Sequence, residues 1–149
     1  MADSIQLIIV TPERQLLSES VSEITLPGAE GELGILPGHA ALITELGISP
    51  LRYRSAEEGT SGVVAVSRGF AEVLPDQVTV LAEIAERPEE IDVKRAKAAL
   101  ERAEKRIAEG HATQDMDWDR ATAALQRALV RIQVAEYAPR KHSVVVPGQ

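Results

Sequence analysis

Val78-Thr79-Val80-Leu81-Ala82-Glu83-Ile84-Ala85-Glu86-Arg87-Pro88-Glu89-Glu90-Ile91-Asp92-Val93-Lys94-Arg95-Ala96 decides the fold, because the hydrophobic period changes within it. Val78, Val80, Ala82 and Ile84 alternate with Thr79, Leu81 and Glu83, the period of a strand with one covered face. After Glu86-Arg87-Pro88 the alternation stops. From about residue 92 to 108 there is neither Pro nor Gly, and Ala, Lys, Arg, Glu and Leu, the strongest helix formers, fill the stretch. A β part before residue 88 therefore meets an α part after it.

Upstream, Ile5-Gln6-Leu7-Ile8-Ile9-Val10 is rich in β-branched residues and ends at Thr11-Pro12, where proline stops ladder pairing. Ser20-Val21-Ser22-Glu23-Ile24-Thr25-Leu26 is closed by Pro27-Gly28. Two short strands follow, Gly62-Val63-Val64-Ala65-Val66-Ser67 and Gly69-Phe70-Ala71-Glu72-Val73-Leu74, with Pro75-Asp76-Gln77 as a hairpin turn. Eight of the ten glycines lie before residue 87, and short strands with regular turn punctuation imply a sandwich.

Downstream, Asp92 is the expected cap and Gly110 the expected stop of a first helix, whose Ala96, Ala99, Leu100, Ala103 and Ile107 form one stripe. A second helix starts at Asp117 and carries Ala121, Ala124, Leu125, Ala128, Ile132 and Ala135 at the same spacing. The short linker predicts an antiparallel hairpin. Alanine seams bury little apolar area, and each helix is near the length of about 12–15 residues below which isolated helices are marginal, so the hairpin should undock easily. The predicted organisation is a sandwich over residues 1–87, a two-helix hairpin over 88–137 and a mobile tail over 138–149.

Composition narrows the function. No cysteine is present, which removes disulfides, thiolate metal sites and cysteine nucleophiles. Aromatics are 3% of residues, too few for the stacking platforms of single-stranded nucleic-acid binders. Neither a secretion signal nor a membrane-spanning run is found, so any membrane association goes through partners. His39, His111 and His142 are scattered without metal-ligand spacing, and no glycine loop ends in Gly-Lys-Ser or Gly-Lys-Thr. Charge divides the chain: residues 1–86 hold 4 Lys/Arg against 13 Asp/Glu, and residues 87–149 hold 12 against 10. Arg120, Arg127, Arg131, Arg140 and Lys141 against Glu136 alone make the end locally cationic, which suits an acidic partner or a phosphate.

The run Gly31-Glu32-Leu33-Gly34-Ile35-Leu36-Pro37-Gly38-His39-Ala40-Ala41-Leu42-Ile43-Thr44 resembles the central signature of the epsilon subunits of F-type proton-translocating ATP synthases. The opening strand into Thr11-Pro12-Glu13, then Gly69-Phe70-Ala71-Glu72-Val73 and Thr79-Val80-Leu81-Ala82, agree in order, so the resemblance spans about residues 5–137. Arg68 departs from it, since the family often has a second glycine before Phe70. The resemblance implies a sandwich of about ten strands plus a helical hairpin. It also implies a non-catalytic rotor part seated beside the gamma subunit and on the c-subunit ring, peripheral to the cytoplasmic face of a bacterial membrane. By resemblance, Glu30, Gly31 and Glu32 contact the c-ring and His39 lies toward gamma. The hairpin would be a regulator: docked it permits rotation, and extended it meets acidic surfaces of the alpha and beta subunits and blocks ATP hydrolysis.

Ile91-Asp92-Val93-Lys94-Arg95-Ala96 is similar to the Ile/Leu-Asp-x-x-Arg-Ala motif associated with ATP binding in some bacterial members. Glu86, Arg102, Arg127 and Arg131 stand at matching positions, so Glu86, Ile91, Asp92, Arg95, Ala96, Arg102, Arg127 and Arg131 form a candidate regulatory ATP site. No cofactor is required. The same arginines also fit the solvated faces of amphipathic helices, paired with Glu101 and Glu104. Two other classes stay open on the residues alone: a free-standing interaction module with a helical arm, and a small enzyme using His39 with Glu45 or Glu32.

Overall fold

A computed structural model describes residues 3–110 and 115–137; the predicted tail, with Arg140 and Lys141, lies outside the described residues. Six strands are followed by two helices: β1 (Ile5–Val10), β2 (Gln15–Gly28), β3 (Gly31–Ile35), β4 (Leu42–Ser55), β5 (Ser61–Val73), β6 (Gln77–Glu86), α1 (Val93–Glu109) and α2 (Trp118–Ala135), with a 3-10 turn at Pro88–Glu90. Strand order is β1-β6-β5-β4-β2-β3, and β1 also pairs with β2, so hydrogen bonding closes into a ring of five strands with β3 outside it. All pairings are antiparallel except β1 with β6, where Gln6 faces Gln77 and Val10 faces Leu81.

About ten strands are expected and six are found, because β2, β4 and β5, at 14, 14 and 13 residues, each serve both layers of the sandwich. The evidence is a change of buried parity along each strand. In β5 the core residues are Val64 and Val66 before residue 68, and Ala71 and Val73 after it. In β2 they pass from Leu17 and Val21 to Ile24 and Leu26, and in β4 from Leu46 to Leu51; β6 shows the same change from Val78, Val80 and Ala82 to Ala85. The stretches 62–67 and 69–74, which look like separate strands in the sequence, are thus one bent strand. Its bend is at Arg68 and Gly69, where φ is 59° and 134°. Pro50 is tolerated inside β4 because no β2 partner is recorded for β4 between Leu46 and Arg52.

The larger of two core clusters lies wholly within the strands. Ile5, Leu7, Ile9, Val21, Ile24, Leu26, Ile35, Leu46, Leu51 and the inward residues of β5 and β6 form one aliphatic cluster. The helices begin as the sequence predicts: Asp92 and Asp117 are N-caps whose side chains accept from the backbone N–H groups of Arg95 and Arg120, both at 3.0 Å. Gly110 ends α1 with φ −62°, an ordinary helical value, so its role is not a left-handed cap. A Cβ there would strike Met116 and Trp118; the glycine lets the two helix ends approach.

α2 carries two buried faces. Ala121 and Ala128 belong to the predicted seam, whereas Val130 and Val134 are buried against Val63, Ala65 and Ile91, with Ile48, Ala135 and Tyr137 around them. The hairpin is therefore docked through α2, and α1, burying only Ala96 and Ala103, packs on α2.

Candidate functional site

Two regions hold the residues singled out by sequence. At the hairpin seam, Glu86 ends β6 and Arg131 lies on α2, and the Arg131 Nε donates to a Glu86 carboxylate oxygen at 2.6 Å. Both side chains are about three-quarters or two-thirds covered, at 26% and 32% exposed, so the bond is charge-assisted and poorly screened. Glu86, Arg127 and Arg131 line one recess of about 10 Å³, enough for a single water.

The remaining residues of the predicted group have other duties. Ile91 is buried under α2, Asp92 caps α1, Ala96 is in the helix seam, and Arg95 is exposed in the first turn. Arg102 lines a separate opening near the hairpin tip with Lys105, Arg106 and Arg120. The structure brings three of the eight residues to one recess.

Sequence reasoning missed the groups that fasten this region. Arg87 donates from its guanidinium to the Leu16 carbonyl at 2.6 Å, and Arg14 pairs with Glu90 at 2.5 Å. Burial raises the Glu90 carboxyl, but the Arg87 backbone N–H, the Arg14 hydrogen bond and both guanidinium charges outweigh it, so its pKa falls below the ordinary 4.5. Beside the same linker, burial pushes the Tyr53 phenol up, with Glu19 adding to it. The signal for the sheet-facing stripe was present: Ala123, Arg127, Val130 and Val134 recur at spacings of four, three and four.

At the other end of the sandwich, Ala29 and Glu30 form the tight β2–β3 turn, and Gly28 and Gly31 face each other across it. Gly31 has φ 139°, and a Cβ on Gly28 would collide with the Gly31 carbonyl, so this turn requires both. Glu30, Gly31 and Glu32 line an open recess with Ile43, Thr44 and Glu45, and Glu32 pairs with Arg52 at 3.0 Å. His39 is outside that recess; its Nδ1–H donates to the Ala40 carbonyl at 2.7 Å, a local bond that gives it no nucleophile to serve. Among the described residues no group of three or more His, Cys, Asp or Glu is placed to hold a metal.

Adjacent to that turn the sheet presents an uncovered face that mixes apolar side chains with Glu45 and Glu72. Glu45, Phe70 and Leu81 lie in register across β4, β5 and β6, and Ile43 is two residues from Glu45 on the same side. Ile43, Phe70 and Leu81 are 73%, 56% and 56% exposed; Phe70 and Leu81 are directly paired, Ile43 is opposite Glu72 in the next row, and exposed apolar side chains grouped in this way are more informative than single ones.

Comparison with known proteins accounts for nearly all of the described length. The ATP synthase delta/epsilon chain beta-sandwich domain matches residues 4–88, and the delta/epsilon chain long alpha-helix domain matches residues 89–136. The ATP synthase epsilon chain of Syntrophobacter fumaroxidans is 54% identical over 137 residues, covering 91% of this chain and 98% of the relative. That of Citrifermentans bemidjiense is 48% identical over 141 residues, covering 95% and 100%. A chain in the cryo-EM structure of the Euglena gracilis mitochondrial ATP synthase, OSCP/F1/c-ring, superposes with TM-score 0.73 at 27% identity, covering 92% of this chain and 84% of that one. With strands, hairpin and both domain matches in agreement, this chain belongs to the delta/epsilon chain family of ATP synthases and is an epsilon chain.

Proposed function

We propose that this chain is a non-catalytic central-stalk subunit that couples the gamma subunit to the c-subunit ring and restrains ATP hydrolysis through its hairpin. The exposed group of Ile43, Phe70 and Leu81 beside the acidic turn carries the proposal. Exposed apolar side chains suit a permanent packing partner such as gamma, while Glu30, Glu32 and Glu45 suit polar loops of the ring. Placed there, the protein is peripheral on the cytoplasmic face of a bacterial membrane; no helix among the described residues is long and apolar enough to cross one. Phe70→Ser should weaken binding of gamma about tenfold or more while leaving the fold intact, since Phe70 is outside the core. Unchanged co-purification with gamma would refute the clamp.

The hairpin is the regulator. Its seams are rich in alanine and its contact with the sheet is a small apolar cluster, so release is cheap compared with opening the core. Extended, the basic side of α2 with Arg127 and Arg131 meets acidic surfaces of the alpha and beta subunits. Removing residues 88–149 should leave assembly intact and raise ATPase activity of the complex. Equal hydrolysis with and without the hairpin would rule out inhibition.

ATP sensing is a second reading, supported by Arg127 and Arg131 sharing a recess with Glu86. A nucleotide that binds the docked form alone would relieve inhibition. Because that recess is water-sized, binding requires the side chains to part. Titration of the isolated chain with ATP in a calorimeter tests it, and absence of heat and of any protection against hydrogen exchange would dispose of the site.

A further inference from the structure

We propose that the Glu86–Arg131 pair is a built-in latch that holds the hairpin on the sandwich without any ligand, and that the hairpin pivots at Ile91–Asp92 rather than at Pro88. The inference rests on the reading above that the hairpin leaves the sandwich, and adds what retains it and where it turns.

The latch follows from position and chemistry. Glu86 is the last residue of β6, in a strand paired with β5, while Arg131 is near the end of α2 beside Val130. Their 2.6 Å bond therefore ties the last residue of the sheet to the helix that must leave it. Arg131 is next to Val130, which with Val134 is buried against Val63 and Ala65, so parting the apolar cluster also exposes the charge pair and parting the charge pair loosens the cluster. The Glu86 carboxylate takes the Arg131 Nε–H, and the recess left beside the pair is about 10 Å³. Any anion that draws Arg131 away has to outcompete Glu86.

The pivot follows from what stays behind. The turn at Pro88–Glu90 is fastened from both sides: Arg87 donates to the Leu16 carbonyl at 2.6 Å, and Glu90 accepts from Arg14 at 2.5 Å and from the Arg87 N–H at 2.9 Å. Those bonds all join the linker to β2, the β1–β2 connection or itself, and none involves α1 or α2. Beyond Glu90 the backbone is extended at Ile91 (φ −85°, ψ 122°) and at Asp92 (φ −79°, ψ 100°), the two residues between the fastened turn and the first helical residue. Rotation there moves both helices as a unit.

Hydrogen exchange of the full chain, read separately on α2 and on β1 and β5, tests both parts. In Glu86→Gln the α2 amides should exchange about tenfold faster or more, since a charge-assisted bond is lost, while β1 and β5 keep their protection. The exchanged pair Glu86→Arg with Arg131→Glu should restore slow exchange. The Glu90 and Ile91 amides, which close the turn by donating to the Arg87 and Pro88 carbonyls, should stay protected in Glu86→Gln and lose protection in Arg14→Gln. If α2 opens independently of the sheet in wild type but at the same rate in Glu86→Gln, the latch is overturned and the mobile hairpin stands. If α2 exchanges only when β1 and β5 do, both fall. Loss of protection at Glu90 and Ile91 together with α2 in Glu86→Gln would move the pivot upstream and overturn that part.

Discussion

Arg68 is the one non-glycine among the described residues with positive φ, at 59°, and its neighbour Gly69 sits at 134°. A side chain in the left-handed region costs about 1 kcal/mol relative to glycine, because Cβ crowds the following carbonyl. Arg68→Gly should therefore raise stability by about 0.5–1 kcal/mol, visible as a higher urea midpoint at unchanged slope. Gly69→Ala should do the reverse by more than about 2 kcal/mol, since its Cβ would strike the Leu81 carbonyl in the neighbouring strand. Arg68 stood out in the sequence only as a departure from the resemblance. What it marks is the bend inside one long strand, a tertiary feature that single-strand alternation cannot reveal. Glu90 makes a second prediction at this scale. Its folded pKa is depressed, so its stabilisation is complete above the ordinary value near 4.5 and is lost as pH falls through the lower folded value. Glu90→Gln should be less stable than wild type at pH 7, by less than about 1 kcal/mol given the exposed Arg14, and the two stability curves should converge as pH falls below that value.

At the level of elements, both helices and their aspartate caps could be read because caps and 3.6-residue stripes are local signals. The second face of α2 was harder to read. Val130 and Val134 fall outside the alanine stripe, and only a partner sheet gives their spacing meaning. Val134 is fully buried, so Val134→Ala should weaken docking of α2 by about 1–2 kcal/mol while leaving the sheet's own unfolding nearly unchanged. Exchange rates of α2 amides beside those of β5 would measure it. The predicted arginine group was half legible for the same reason. Periodicity places Arg127 and Arg131 one turn apart, but whether Arg95 and Arg102 join them depends on how α1 rolls against α2, and the structure turns Arg102 toward the hairpin tip.

Considered as a whole, the molecule is asymmetric in what it can do alone. Every residue of the large aliphatic cluster lies between Ile5 and Ala85, so a fragment of residues 1–87 should fold cooperatively. The fragment 88–149 should be largely unfolded by circular dichroism, because its helices meet through alanine and lose Val63 and Ala65 as their platform. A stable, helical 88–149 fragment would contradict this division. The charge split seen in the sequence becomes a fastening in three dimensions, with the basic Arg131 meeting the acidic Glu86.

The five-strand ring closes where β1 lies parallel to β6, joining Gln6 to Gln77 and Val10 to Leu81. During synthesis the first strand must therefore wait for the last. A ribosome has to deliver residue 81 beyond its exit tunnel before the opening hexapeptide finds all of its second neighbour, and until then the nascent chain exposes a hydrophobic margin for chaperones to shield. Contacts this distant in sequence also place the sandwich among slow folders, on a scale of milliseconds to seconds.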